Sequence, residues 1–104
     1  MKTIEPYIIE VKEKLGLETY QETMEYLGMA RQAWTAIQKG TGVQEKNAIR
    51  IGEVLDISPV EIMAVSLALK AKNNEIRDMW LKLAKEKEEE RKKKQKTEEK
   101  PQKI

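Results

Sequence analysis

This 104-residue chain contains no cysteine and no histidine. Without cysteine there is no disulfide and no thiol nucleophile, and without histidine there is no imidazole base. Most transition-metal sites are excluded as well, because those metals take thiolate and imidazole ligands. Carboxylates alone could bind a hard cation, but the chain contains no D-x-D-x-D-G loop. We therefore expect no metal site and no cofactor.

Long apolar runs are also lacking. No stretch approaches the length that spans a membrane, and the N-terminal residues MKTIEPYIIE do not have the layout of a signal peptide. A cytoplasmic protein is the default expectation. Carboxylates are plentiful, but they accompany no base, nucleophile or glycine-rich phosphate loop. An enzyme is therefore not expected.

The length suits one folding unit with a charged extension. We expect the domain at 1–72, a C-terminal helix that packs or dimerises at 73–84, and a charged tail at 85–104. The tail has almost no apolar residues, although Glu88–Lys92 and similar pairs could carry the last helix on to about Lys96. The tail could touch DNA phosphates, but a solvated extension is the preferred interpretation.

Residues 20–40, YQETMEYLGMARQAWTAIQKG, are the centre of the sequence pattern. They predict a helix over Tyr20–Leu27, a break at Gly28, and a second helix over Arg31–Lys39 that ends at Gly40. Two helices joined by a short turn with glycine are the signature of a helix-turn-helix. The same pattern also occurs as a plain corner in helical domains.

Charge is distributed unevenly around this stretch. Residues 1–27 hold three lysines and six glutamates, a net charge of −3. Residues 28–52 hold four basic residues and one glutamate, a net charge of +3. The basic block therefore coincides with the second helix and the segment after it, where a phosphate-contacting surface would need its charge. A solvated face would look the same.

Hydrophobic spacing predicts the remaining helices. They are expected from about Ile4 to Gly16, Gln44 to Leu55, Val60 to Lys72, and from Glu75 onward. Capping boxes are predicted from Thr19 with Glu22 and from Ser58 with Glu61, the second with Pro59 at the first helical position. Gly52 within a helix suggests a close approach by another helix. Trp34 is expected in the core, with base stacking as the alternative.

The last predicted helix carries a narrow apolar stripe, formed by Ile76, Met79, Trp80 and Leu83. Such a stripe after a compact domain either packs back on the core or pairs with a second subunit or another partner. The two alternatives stay open at this point.

Two segments together resemble a known family. LGMARQAWTAIQKG and GVQEKNAIRIGEVLDISPVEI are similar to the central motif and the following segment of the lambda-repressor-like family, of the Cro and xenobiotic-response-element type. The similarity runs from about Ile4 to Leu69. It implies an all-α fold, a five-helix helix-turn-helix domain followed here by a sixth helix and a charged tail. The segment KNNEIRDMWLKLAKE further resembles small phage and prophage regulators, which implies a bacterial or phage-infected cell.

The resemblance also assigns site residues by position. The residues implied to read bases are Ala30, Arg31, Gln32, Thr35 and Ala36. Arg31 suits guanine and Gln32 suits adenine, because each side chain can form two hydrogen bonds to its base. The residues implied to contact phosphate are Tyr20, Gln21, Lys39, Lys46 and Arg50.

Four positions depart from the family pattern: Tyr20, Met24, Ala30 and Trp34. They allow either a repacked motif or a protein that kept the fold and changed its role. The preferred interpretation is a homodimeric, sequence-specific DNA-binding repressor that regulates transcription by occupying a double-stranded operator. The alternative is an interaction module that binds another regulator, since residues 1–84 hold 11 basic against 12 acidic residues.

Overall fold

The computed structural model describes the backbone of residues 2–99 and the side chains of residues 2–93. All the regular elements in this range are α-helices, which confirms the helical class. In chain order they are α1 Glu5–Leu15, α2 Tyr20–Tyr26, α3 Ala33–Gln38, α4 Glu45–Leu55, α5 Pro59–Lys70 and α6 Asn74–Glu99. The end of the expected charged tail, residues 100–104, lies outside the described residues. Within residues 2–99, no helix combines the length and apolarity needed to cross a bilayer.

The end of α1 and the start of α2 form as the sequence indicates. Gly16 has φ 67°, in the left-handed region that glycine adopts cheaply. Thr19 is the N-cap of α2, and its hydroxyl oxygen accepts a hydrogen bond of 3.1 Å from the Glu22 backbone N–H. The Glu22 carboxylate accepts from the Thr19 hydroxyl rather than from its backbone. The capping box is therefore only half formed.

A single hydrophobic core includes side chains from all six helices. Its members are buried side chains at the positions that helical spacing selects, among them Ile4, Tyr7, Ile8, Val11, Met24, Leu27, Ile37, Ala48, Ile51, Ile62 and Val65. Trp34 is 9% exposed and belongs to the same cluster. Its interpretation as a core residue is therefore confirmed. Ile49 of α4, by contrast, is 42% exposed.

The third helix is shorter than predicted. It was expected over Arg31–Lys39 but spans Ala33–Gln38. Gln32 occupies the N-cap position without a side-chain cap, and the Ala33 N–H bonds to the Ala30 carbonyl at 3.0 Å. With no Ser, Thr, Asp or Asn available to cap an earlier start, residues 30–32 form a turn instead of the first helical turn.

Glycine is required at position 52 because the backbone connecting α4 to α5 passes very close to it. A Cβ atom on Gly52 would lie 2.7 Å from the Ile57 carbonyl oxygen and 3.3 Å from the Pro59 nitrogen. The close approach expected there is real, but its partner is backbone at the helix junction, not the side of another helix. The cost of about 1 kcal/mol for glycine within a helix is offset by this tight connection.

The start of α5 corrects one prediction. Ser58 is the N-cap, with its hydroxyl oxygen accepting from the Val60 N–H, and Pro59 lies in the first turn. The expected capping box with Glu61 is wrong, because the Glu61 side chain is 0% exposed and points into the contact with α1 and α6.

The sixth helix packs mainly along α5, and Ala84 is completely buried. It extends past the expected end near Lys96 to Glu99. Packing back on the core is therefore observed, whereas pairing with a second copy stays a prediction. The tail expected at 85–104 begins inside this helix.

Candidate nucleic-acid interface

The corner between α2 and α3 is built by short-range backbone bonds. Gly28 has φ 81°, and the Met29 N–H donates to the Met24 carbonyl at 2.8 Å. Buried Asn47 of α4 donates from Nδ2 to the Leu27 carbonyl at 2.9 Å. This bond satisfies a carbonyl at the C-terminal end of α2, which has no partner in its own helix. The corner is thus held in place from α4.

The side chains expected to read bases lie on the outer face of this corner. Ala30, Arg31, Gln32 and Thr35 are exposed, and Ala36 is half-buried. The opposite face of α3 is buried through Trp34 and Ile37. Arg31 lies 3.7 Å from the Glu25 carboxylate, with both side chains more than half exposed. An exposed pair of this kind is weak, so Arg31 can exchange partners at little cost.

Tyr20 and Trp34 form an aromatic stack between α2 and α3. Their ring centroids are 4.1 Å apart and the planes differ by 2°. The Lys12 ammonium lies 5.1 Å from the Tyr20 centroid, which gives the stack a cation–π contact with α1. Two of the four departures from the family pattern are therefore direct partners. Tyr20, expected at phosphate, is half-buried in this contact.

The other side chains expected at phosphate are all exposed: Gln21, Lys39, Lys46 and Arg50. Lys46 and Arg50 lie together beside the corner, where they line a shallow depression with Glu25 and Gly28. The Arg50 guanidinium lies 4.9 Å from the Tyr26 ring centroid. The structure thus brings two cations of α4 next to the corner. Glu25, which lines the same depression and lies 3.7 Å from Arg31, is a competing anion there.

A second surface feature lies on the α4–α5–α6 side. A groove of about 300 Å³ is lined almost wholly by apolar side chains, including Ile49, Val60, Met63, Leu67, Trp80 and Leu83. Of the stripe expected at a dimer or partner contact, Trp80 and Leu83 are half-buried in this groove. Ile76 and Met79 are 45% and 51% exposed. Two residues of the stripe therefore pack in the groove, and the other two are exposed to solvent.

A buried polar cluster, which sequence reasoning missed, joins α1, α5 and α6. The Tyr7 hydroxyl donates to Glu61 Oε2, and Arg91 donates from Nε to Glu61 Oε1 at 2.8 Å and from Nη2 to Oε2 at 3.2 Å. Glu88 lies beside Arg91 and accepts a 2.9 Å bond from Lys2. Glu61, a single carboxylate in an otherwise apolar helix, was the available signal.

Electrostatics in this cluster keep Tyr7 protonated and Arg91 charged. Burial, followed by the hydrogen bond to Glu61, raises the pKa of Tyr7 well above its usual range, so the phenol keeps its proton. The hydrogen bond to Glu61 raises the pKa of Arg91. Both oxygens of Glu61 accept hydrogen bonds, so this carboxylate joins α1, α5 and α6.

Within residues 2–93, whose side chains the structure describes, no group of three or more acidic side chains is placed to hold a metal ion. Comparison with known proteins adds no identification. No family model matches the chain, and neither a curated protein nor a solved structure matches it.

Proposed function

We propose that the chain is a sequence-specific DNA-binding regulator with a helix-turn-helix domain of the lambda-repressor-like type. The observation that carries the proposal is the two-sided character of α3 and its preceding turn. Arg31, Gln32 and Thr35 are exposed on one side, while Trp34 and Ile37 are buried on the other. A short helix that packs on the core through one face, with hydrogen-bonding side chains on the exposed face, fits recognition in a major groove.

Each exposed side chain has a role in this mechanism. Arg31 leaves Glu25 and binds guanine, and Gln32 binds adenine through its amide. Thr35 lies one turn later, and the small Ala30 and Ala36 allow close approach of the helix to the bases. Specificity in this proposal thus comes from a few side chains of one short segment.

Phosphate contacts supply the affinity and the orientation. Lys39 ends α3, Lys46 and Arg50 lie beside the corner on α4, and all three side chains are exposed. Gln21 in the first turn of α2 adds a neutral contact. Tyr20 supports the site indirectly, because its stack on Trp34 fixes α3 relative to α2. Two copies on a pseudo-palindromic operator would place their reading helices about 34 Å apart and block or recruit polymerase there.

The first experiment is a selection of bound sequences from a random duplex library at moderate salt, using the full chain. We expect enrichment of two related half-sites spaced by about one helical turn. A pool that stays unenriched, with no salt-sensitive retention, would overturn the proposal.

Matched variants then test the roles of the residues. Gln32→Ala should lower discrimination at one or two base pairs by about 1–3 kcal/mol, because it removes a base contact. Gln38→Ala, a change of the same type at the other end of α3, should leave this discrimination unchanged.

Lys39→Ala should weaken binding to every sequence alike and reduce its salt dependence. Identical effects of Gln32→Ala and Lys39→Ala on operator and random DNA would contradict the assigned roles.

A protein-interaction module of the same fold is the second candidate. The apolar groove between α4, α5 and α6 favours it, together with the near balance of charge in residues 1–84. In that case the chain would bind another regulator and fail the duplex selection.

A further inference from the structure

Exposed apolar side chains are concentrated on one side of the molecule. Within the described residues, six large hydrophobic side chains are exposed, and four of them belong to α4, α5 and α6: Ile49, Val60, Ile76 and Met79. Ile49 and Val60 line the apolar groove, as do Trp80 and Leu83 one turn after Ile76 and Met79. A contiguous apolar surface of this kind is typical of an interaction site.

Two oppositely charged side chains of α6 lie beside this surface. Arg77, Lys87, Glu88 and Arg91 all form ion pairs within the chain. Glu75 and Lys82 are exposed, and neither forms an ion pair with any other side chain in the described part of the chain. They are seven residues apart, so they lie on one side of the helix, along the edge of the stripe.

We infer that this surface pairs with a second copy of the same chain, with the N-terminal halves of the two α6 helices antiparallel. In the heptad register of the stripe, Ile76 and Leu83 occupy a positions and Met79 a d position, which places Glu75 and Lys82 at g. Antiparallel pairing sets a positions against d positions and g against g. Ile76 then packs on Met79 of the second copy, and Glu75 faces Lys82 of the second copy.

The two-fold axis repeats each of these contacts, so opposite charges meet twice and no like charges face each other at these positions. This self-complementarity argues for a second copy rather than an unrelated helix, because the partner charges are already present in the same seven residues. About ten residues of helix span only about 15 Å. Stable association needs roughly 800 Å² from each copy, so the adjoining groove with Ile49 and Val60 forms part of the interface.

The inference rests on the proposed function only in that an operator-binding regulator needs two copies. The contacts themselves involve α4, α5 and α6 and none of the residues assigned to DNA. Association and DNA recognition can therefore be measured separately.

The test is sedimentation equilibrium of the full chain and its charge variants. We expect the wild-type chain to dimerise at about 10 μM. Glu75→Lys and Lys82→Glu should each raise the dissociation constant about tenfold, because each creates two like-charge contacts. The double variant Glu75→Lys with Lys82→Glu should return the constant to within about twofold of wild type. Glu10→Lys, a matched change on the exposed side of α1, should have no effect.

Met79→Glu should abolish the dimer while circular dichroism shows an unchanged helical fold, since Met79 is 51% exposed in the single chain. A wild-type monomer at about 100 μM would overturn the inference. So would a dimer that Met79→Glu leaves intact, or a double charge variant no tighter than the single ones. A monomer that still enriches operator sequences would refute this interface alone, whereas a dimer that enriches none would refute DNA recognition alone.

Discussion

The α2–α3 corner and the α5–α6 contact are stabilised by different kinds of interaction. The corner is formed mainly by backbone bonds a few residues apart, with one bond from the Asn47 side chain of α4, and its outer side chains remain exposed. The α5–α6 contact is anchored by Arg91 on buried Glu61, thirty residues away in sequence, with Tyr7 as a further donor. The corner thus leaves polar groups available for a ligand, whereas the contact uses its polar groups internally.

This difference indicates which positions tolerate amino-acid substitution. Exposed residues of the corner can vary to alter a recognition surface without disturbing the core. A charge in the α5–α6 contact cannot vary alone, because a buried ion without its partner is strongly unfavourable. The charged part of α6 is therefore joined to the fold by the contact of Arg91 with Glu61, two turns beyond Leu83, the last large apolar side chain of the helix.

The largest expected effect comes from breaking the α5–α6 contact. Arg91→Ala leaves the Glu61 carboxylate, 0% exposed, without a cation. Loss of one partner of a buried pair costs about 3–5 kcal/mol, and we expect about 3 because Arg91 itself is 27% exposed. Urea unfolding followed by circular dichroism measures the change in unfolding free energy.

Lys92→Ala is the matched control for Arg91→Ala. Lys92 lies 3.6 Å from Glu88, but its side chain is 63% exposed, so its loss should cost less than about 0.5 kcal/mol. Equal destabilisation by the two variants would mean that the α5–α6 contact is no more specific than the exposed surface, and the contrast between the two regions would fail.

Sequence reasoning identified the helices and most core positions because both follow from local pattern. The spacing that places Ile8, Met24 and Ile37 inward is read within a few residues, and the structure buries all three. The role of Glu61 was misjudged for the converse reason. Its spacing from Ser58 satisfies a local rule, but its partners Tyr7 and Arg91 are distant in sequence, and only the packed fold brings them together.

The candidate site was only partly accessible to the same reasoning. Exposure at Arg31 and Gln32 follows from their position opposite Trp34. The stack of Tyr20 on Trp34 could not be predicted, because it depends on the path of the chain around Gly28. The early start assigned to α3 failed because helical spacing cannot show that residues 30–32 lack a cap.

The aromatic stack sharpens the comparison, since it joins side chains of α2 and α3 across the corner. A double-mutant cycle with Tyr20→Leu and Trp34→Leu should give a coupling energy of about 0.5–1.5 kcal/mol, because the parallel rings lie 4.1 Å apart. Thermal unfolding of the four chains measures it. The control cycle combines Tyr26→Leu with Trp34→Leu. These two rings form no stack in the described part of the chain, so the effects of the two substitutions on stability should be additive. Additivity of the first pair would show that the stack adds no coupling between α2 and α3.

The smallest effect is a pH dependence at the edge of the α5–α6 contact. The hydrogen bond from Lys2 lowers the pKa of Glu88 below its ordinary value of 4.5. A carboxylate whose folded-state pKa is depressed stabilises the fold above its unfolded pKa, and that contribution disappears as the pH falls through the folded-state value. The free energy of unfolding of wild type should therefore exceed that of Glu88→Gln near neutral pH, and the difference should shrink on acidification. Because Lys2 and Glu88 are 31% and 26% exposed, we expect a difference of at most about 1 kcal/mol. Lys2→Ala should remove most of the same pH dependence, since it deletes the donor. A difference between wild type and Glu88→Gln that stays constant or grows between about pH 6 and pH 3 would show that the ion pair with Lys2 contributes nothing to the fold.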